Sequence, residues 1–139
     1  ERADINVIAN YLFGLPGDTL ESMQATLELS LELCTTAWNG YPVMALPGSP
    51  IYRSAQQEGR DLPRTYSSYS FLGYDSEPLP TDELTPGDIL DFRDQAFSRY
   101  HGYAPFLEKV EKRCGRVARS NIEKMANIKL ARRLLEHRS

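Results

Sequence analysis

The chain has 139 residues, 41% hydrophobic and 25% charged, the balance of a soluble globular protein with room for about one domain or a piece of a larger one. No apolar run approaches the roughly 20 residues of a membrane helix and no secretory signal opens the chain, so the expectation is a cytoplasmic protein without a membrane span. The net charge of -3 is split unevenly: residues 1–108 carry 6 Lys/Arg against 16 Asp/Glu, net -10, and residues 109–139 carry 10 against 3, net +7. A basic tail of this kind suits nucleic acid, a solvated helix face, or docking on an acidic body.

The start, Glu1-Arg2-Ala3-Asp4, has no initiator Met and reads as a cut inside a longer polypeptide. Val7-Ile8-Ala9-Asn10-Tyr11-Leu12-Phe13 is a largely apolar run that suits a strand buried on both faces. Pro16 and Gly17 stop it, and Asp18 is the expected helix cap, with Glu21 completing a capping box. The chain thus leaves the carboxyl end of a strand, turns, and enters a helix amino end, which is where α/β folds hold ligands. Leu20, Met23, Leu27, Leu31 and Cys34 recur at three- and four-residue steps, giving a helix over 19–33. Residues 35–40 break that pattern, and Tyr41-Pro42-Val43-Met44-Ala45-Leu46 reads as a second strand. It ends in Pro47-Gly48-Ser49-Pro50, where Ser49 caps and Pro50 opens a short helix over 50–58, closed by Gly59. Strand, helix and strand make a right-handed βαβ unit. Two parallel strands are not a self-sufficient sheet, so the chain reads as incomplete.

Residues 61–84 form an aromatic and proline-punctuated connector carrying Tyr66, Tyr69, Phe71, Tyr74, Pro78 and Pro80, whose rings pack on the flank or contact a substrate. Residues 85–139 are helical. Thr85-Pro86-Gly87-Asp88 starts a helix with the stripe Ile89, Phe92, Ala96, Tyr100, which ends at His101-Gly102. A shorter helix over 105–113 turns Phe106, Leu107 and Val110 inward and stops at Gly115. The last helix opens near Val117, with Ile122, Met125, Ala126, Leu130 and Leu134 down its length. Arg119, Lys124, Lys129, Arg132 and Arg133 occupy its polar faces.

Standard catalytic constellations are nearly absent. His101 and His137 sit at helix ends, where a histidine suits the helix dipole. Cys34 and Cys114, 80 residues apart, match no metal or redox spacing and read as reduced, partly buried thiols. There is no Ser-His-Asp order, HExxH or P-loop. Asp75 and Glu77 form either an acid pair or part of an exposed loop. What remains is a repeated turn. Gly14 and Gly48 let backbone approach a flat ligand, and Leu12 or Leu46 supplies an apolar wall.

Together, Gly14-Leu15-Pro16-Gly17-Asp18-Thr19 and Pro47-Gly48-Ser49-Pro50-Ile51-Tyr52 resemble the ends of the fifth and sixth strands of radical S-adenosylmethionine enzymes. Tyr74-Asp75-Ser76-Glu77-Pro78-Leu79-Pro80-Thr81 and Phe92-Arg93-Asp94-Gln95-Ala96-Phe97 look like the tail of members with an amino-terminal cobalamin-binding domain. The resemblance implies an α/β fold: a fragment of a partial (β/α) TIM-type barrel, its last two parallel β/α units in residues 1–60, the connector in 61–84 and an α-helical extension in 85–139. It places Leu12, Gly14, Leu46 and Pro47 against the adenine of S-adenosylmethionine, while Asn10 departs from a glycine common at its position. In the full-length enzyme a [4Fe–4S] cluster would cleave S-adenosylmethionine to an adenosyl radical that takes hydrogen from a small-molecule substrate, with cobalamin as a further implied cofactor. The Cys-x₃-Cys-x₂-Cys loop that holds the cluster is not in this chain, so the fragment alone is inactive and its expected partner is the rest of its own polypeptide, the amino-terminal barrel strands. The alternative from a different class is a helical binding module that docks on a partner protein or nucleic acid through its basic last helix.

Overall fold

The computed structural model describes residues 5–136. Strand β1 (Ile8–Phe13) is followed by helix α1 (Leu20–Leu33) and strand β2 (Ala37–Pro42). The two strands pair in parallel, from Ile8 opposite Ala37 to Phe13 opposite Pro42, as the βαβ reading requires. Helix α2 (Pro50–Gln57), a 3₁₀ turn (Tyr66–Tyr69), helices α3 (Pro86–His101) and α4 (Ala104–Ala126), and a 3₁₀ turn (Arg133–Leu135) complete a mixed α/β architecture around this two-stranded sheet.

The second strand lies earlier than its expected 41–46 span, and residues 43–46 run on as irregular chain. The reason is Trp38. Its ring, 3% exposed, lies over Gly40, where a Cβ would come within 2.2 Å of Trp38 Cη2. Gly40 is therefore no breaker but the space the indole occupies. Ala37 and Val43 turn their N–H groups to the Val7 and Phe13 carbonyls, at 3.2 and 2.9 Å. The alternate positions, Gly40 and Pro42, consequently face the outer edge. There Arg93 Nε donates to the Gly40 carbonyl at 2.8 Å, and Pro42 has no N–H to offer. Both features close the outer edge of β2.

The first strand is buried on one face rather than both. Phe13 is 0% exposed while Ile8 and Leu12 remain 62% and 49% exposed. α1, α3 and α4 all pack on the Phe13–Trp38 side, where Met23, Leu27, Ala96, Tyr100, Phe106 and Val110 complete the core. Trp38 stacks on Tyr100 with ring centroids 5.3 Å apart. The opposite face, carrying Ile8, Asn10 and Leu12 beside Ala37, Asn39 and Tyr41, takes no part in that core among the described residues, and its carboxyl end shares a cleft with Ile51 of α2.

The cap of α1 is Thr19, one residue past the expected Asp18. Thr19 Oγ1 accepts from the Ser22 N–H at 3.2 Å and Ser22 Oγ from the Thr19 N–H at 3.1 Å, a capping box with Ser22 in place of Glu21. This leaves the Asp18 carboxylate free to turn back into the loop, where it accepts from the N–H groups of Gly14 and Leu15 at 3.0 and 2.8 Å. Ser49 caps α2, and Thr85 with Asp88 forms the box that opens α3, as the sequence predicts.

Gly115 interrupts α4 with φ 85 and ψ 171, so the predicted stop is present. The helix beyond it ends at Ala126, and Leu130 and Leu134 do not continue its stripe. Arg132 explains this difference. Expected on a polar face, it has a fully buried side chain that donates to both Asp94 carboxylate oxygens at 2.9 Å. The two Nη1 protons are shared among the Phe71 and Gly73 carbonyls and Ser76 Oγ at 3.1, 3.0 and 2.9 Å. A buried guanidinium needs this full set of acceptors, and the chain leaves helical geometry to deliver it. The same bonds tie the connector to α3, and Phe71 packs on Tyr41 at 5.1 Å.

Candidate ligand cleft at the carboxyl ends of the strands

A cleft of about 260 Å³ opens where β1 and β2 end. Leu12 and Leu15 come from β1 and its turn, Tyr41 from β2, Leu46 from the second turn, Ile51 from α2 and Phe71 from the connector. Parallel pairing is what brings these segments together: it sets both carboxyl ends side by side, with the two turns flanking one opening. The lining is almost wholly apolar, with Leu12 49% and Leu46 44% exposed. Such a surface suits a flat, apolar body.

Of the four residues assigned to the adenine, Leu12 and Leu46 line this cleft together. Pro47 is exposed beside Leu46 but is not part of the lining. Gly14 is buried and faces away from the opening: a Cβ there would lie 2.8 Å from Ile89 Cδ1 and Cγ2, at the start of α3. With φ at 85, it makes the turn and admits α3 rather than approaching a ligand. Gly48, also at φ 85, has nothing within 4 Å of its absent Cβ and sits in the open second turn.

Sequence reasoning named Phe71 as one of several connector rings that pack on the flank or contact a substrate, but missed Tyr41 in the lining and the pair Asn10–Asn39 beside it. Asn39 Nδ2 donates to Asn10 Oδ1 at 3.0 Å on the sheet face opposite the core. The alternation Trp38, Gly40, Pro42 against Asn39, Tyr41 was the available signal, hidden by reading Gly40 as a breaker. No local pattern singled out Phe71 among the connector rings, because its place over the sheet is set by distant contacts, the Arg132 bond to its carbonyl and its ring on Tyr41.

The titratable groups are structural. His101 is 6% exposed among Trp38, Phe97, Tyr100 and Phe106, and its Nδ1 meets the Phe97 carbonyl at 2.9 Å. Burial pushes its pKa down, with nearby Arg93 adding to the effect, so it is a neutral core ring instead of a cation on the helix dipole. His137 lies outside the described residues. Burial likewise pushes the Tyr100 phenol up to about 12, and its hydroxyl donates to the Thr35 carbonyl at 3.0 Å. Cys34 is a half-buried cysteine at the end of α1, whereas Cys114 is exposed rather than partly buried. Among the described residues no group of three His, Cys, Asp or Glu is placed to hold a metal, and Cys34 and Cys114 lie on separate elements, so the described side chains do not fit an iron–sulfur cluster. Asp75 and Glu77 lie 3.2 and 3.6 Å from the Arg133 guanidinium and form one side of a surface ion-pair cluster. Arg119 is shared between Glu111 and Glu123. With Arg132 on Asp94, much of the expected basic stripe is spent on intramolecular pairs. Among the described residues no helix is long and apolar enough to cross a membrane.

A scan against models of known families finds no match, and a search of curated proteins finds none either.

Proposed function

We propose that this chain is the carboxy-terminal part of a radical S-adenosylmethionine enzyme, contributing one wall of the adenine site and the closure of the substrate side of a partial (β/α) barrel. The observation that carries the reading is the parallel pairing of β1 and β2, with the two glycine–proline turns at one end around a shared apolar cleft. The one-sided helical cover agrees with it, because a barrel strand buries its outer face under helices and turns its inner face to the lumen. In this reading Leu12 and Leu46 hold the adenine between apolar walls, Tyr41 and Phe71 border it, and Asp18 and Ile89 keep the first turn in shape from behind. S-adenosylmethionine, when bound, supplies the radical chemistry; the chain orients it and excludes water. The cluster that activates it would be held by the preceding strands, and a cobalamin-binding domain ahead of them rests on the tail motifs alone.

Two measurements test this. The encoded sequence immediately ahead of Glu1 should contain a three-cysteine loop followed by further β/α units, and a reading frame without them refutes the assignment. Adenosine titrated into the isotope-labelled chain should move the methyl resonances of Leu12 and Leu46 in a saturable way, and Leu12→Ala should weaken that response. Methyl signals that stay still would remove the adenine wall.

A further inference from the structure

Among the described residues the open sheet face contains one hydrogen bond between side chains of the two strands, and its partners are chemically distinctive. Asn10 and Asn39 are directly opposite in the register, and Asn39 Nδ2 donates to Asn10 Oδ1 at 3.0 Å. The bond orients both carboxamides without exhausting them. Asn10 Nδ2 keeps both of its protons and Asn39 Oδ1 keeps its lone pairs, since neither side chain makes another hydrogen bond among the described residues. Asn10 is exposed and Asn39 half-buried, so these groups are reachable. Their place is equally specific. Each stands two residues before a cleft-lining residue on the same face, Asn10 before Leu12 and Asn39 before Tyr41, a step of about 6.6 Å along the strand. The apolar cleft therefore runs into a donor–acceptor pair.

The rest of that face decides what such a pair recognises. The positions beside it are Ile8, Leu12, Ala37 and Tyr41, with no carboxylate, ammonium or guanidinium among them. An anion placed there would meet no countercharge to offset the water it gives up to the apolar neighbours, which two neutral hydrogen bonds do not make good. A neutral group that both donates and accepts loses little, because the two carboxamides replace its water on each side.

We propose that Asn10 and Asn39 are the polar recognition pair of the cleft, and that its ligand is a neutral molecule with a flat apolar body and a carboxamide-like donor–acceptor group. The flat body lies against Leu12, Tyr41 and Phe71 while its polar end reaches down the strands to the two asparagines. This inference rests on the sheet face and the cleft and does not require the adenine assignment.

The test uses the ¹⁵N-labelled chain, because side-chain NH₂ resonances report on each carboxamide directly. The single variants Asn10→Leu and Asn39→Leu each delete one resonance pair and so assign both. Benzamide should then shift both pairs, together with the Leu12 and Tyr41 backbone amides. Benzoate, the same shape with a charge, should bind roughly tenfold more weakly, as should toluene, which leaves the pair unserved. The double variant Asn10→Leu/Asn39→Leu, with its fold checked by circular dichroism, should lose benzamide affinity by roughly fivefold or more. Benzoate equal to or better than benzamide overturns the proposal, as do backbone shifts at Leu12 with silent carboxamides, or unchanged affinity in the folded double variant. Carboxamide signals that move on dilution without ligand would show a second copy of the chain on this face and overturn it too. A parallel adenosine titration separates the two readings: if adenosine leaves Leu12 and Leu46 unmoved while benzamide acts as expected, the adenine wall fails and the recognition pair stands.

Discussion

Gly14→Ala is the most discriminating single substitution, because it separates a glycine that meets a ligand from one that admits a helix. Gly14 sits at φ 85, and its added Cβ would meet Ile89 Cδ1 and Cγ2 at 2.8 Å and Cγ1 at 3.1 Å. Ile89 is 0% exposed and lies in the first turn of α3, so it has little room to retreat. A left-handed alanine costs about 1–2 kcal/mol, and overpacking at a buried site about 1–3 kcal/mol. The expected destabilisation is their sum, about 2–5 kcal/mol, read from urea unfolding with a common slope. Ile89→Ala removes all three atoms in the clash and by itself should cost about 2–5 kcal/mol as a cavity. In the double variant the packing part disappears and the backbone part stays, so the two substitutions should fall short of additivity by about 1–3 kcal/mol. Additivity within about 0.5 kcal/mol would refute the packing argument. Any ligand affinity lost in Gly14→Ala should track the loss of folded protein rather than exceed it.

Three further outcomes follow from the geometry. Arg132→Met should cost about 3 kcal/mol, since it leaves the Phe71 and Gly73 carbonyls and Ser76 Oγ without their buried guanidinium and leaves Asp94 with Arg93 as its remaining partner, and the first amides to lose exchange protection should be those of residues 70–76; a variant as stable as the parent excludes this role. Thr19→Ala should lower stability by about 1 kcal/mol through loss of the capping box, whereas Glu21→Ala, at the expected but unused box position, should change it little in the same denaturation assay. Burial lowers the His101 pKa from 6.5, so the unfolded chain takes up its proton first on acidification. The stabilisation is complete above about pH 6.5 and declines as pH falls from there through the lower folded value; His101→Phe should flatten urea midpoints measured between about pH 7 and pH 5, and an unaltered slope would assign the dependence elsewhere.

What the sequence by itself determined is local. The β1 strand, the helix periods of α1 and α3, the Ser49 and Thr85 caps and the Gly115 interruption were all legible, because capping, periodicity and positive-φ turns are settled by residues within four or five of one another. The parallel pairing was legible too, since a helix of α1's length between two strands leaves few other connections. The shared placement of Leu12 and Leu46 came from the family resemblance, since Leu46 lies beyond the end of β2 and strand pairing alone does not position it.

Contacts between segments far apart in the chain decided the rest. Gly40 looked like a breaker until the Trp38 ring was seen lying across it, packed in turn on Tyr100, 62 residues later in the chain. Arg132 looked like a solvated helix residue, but the acceptors that bury it come from Asp94, Phe71, Gly73 and Ser76, which no helical period relates to it. Gly14 looked free to approach a ligand, and the arrival of Ile89 on α3 turned it inward. In each case a side chain's surroundings were set by tertiary packing, and packing assigns the same residue to core, turn or cleft according to what arrives opposite it.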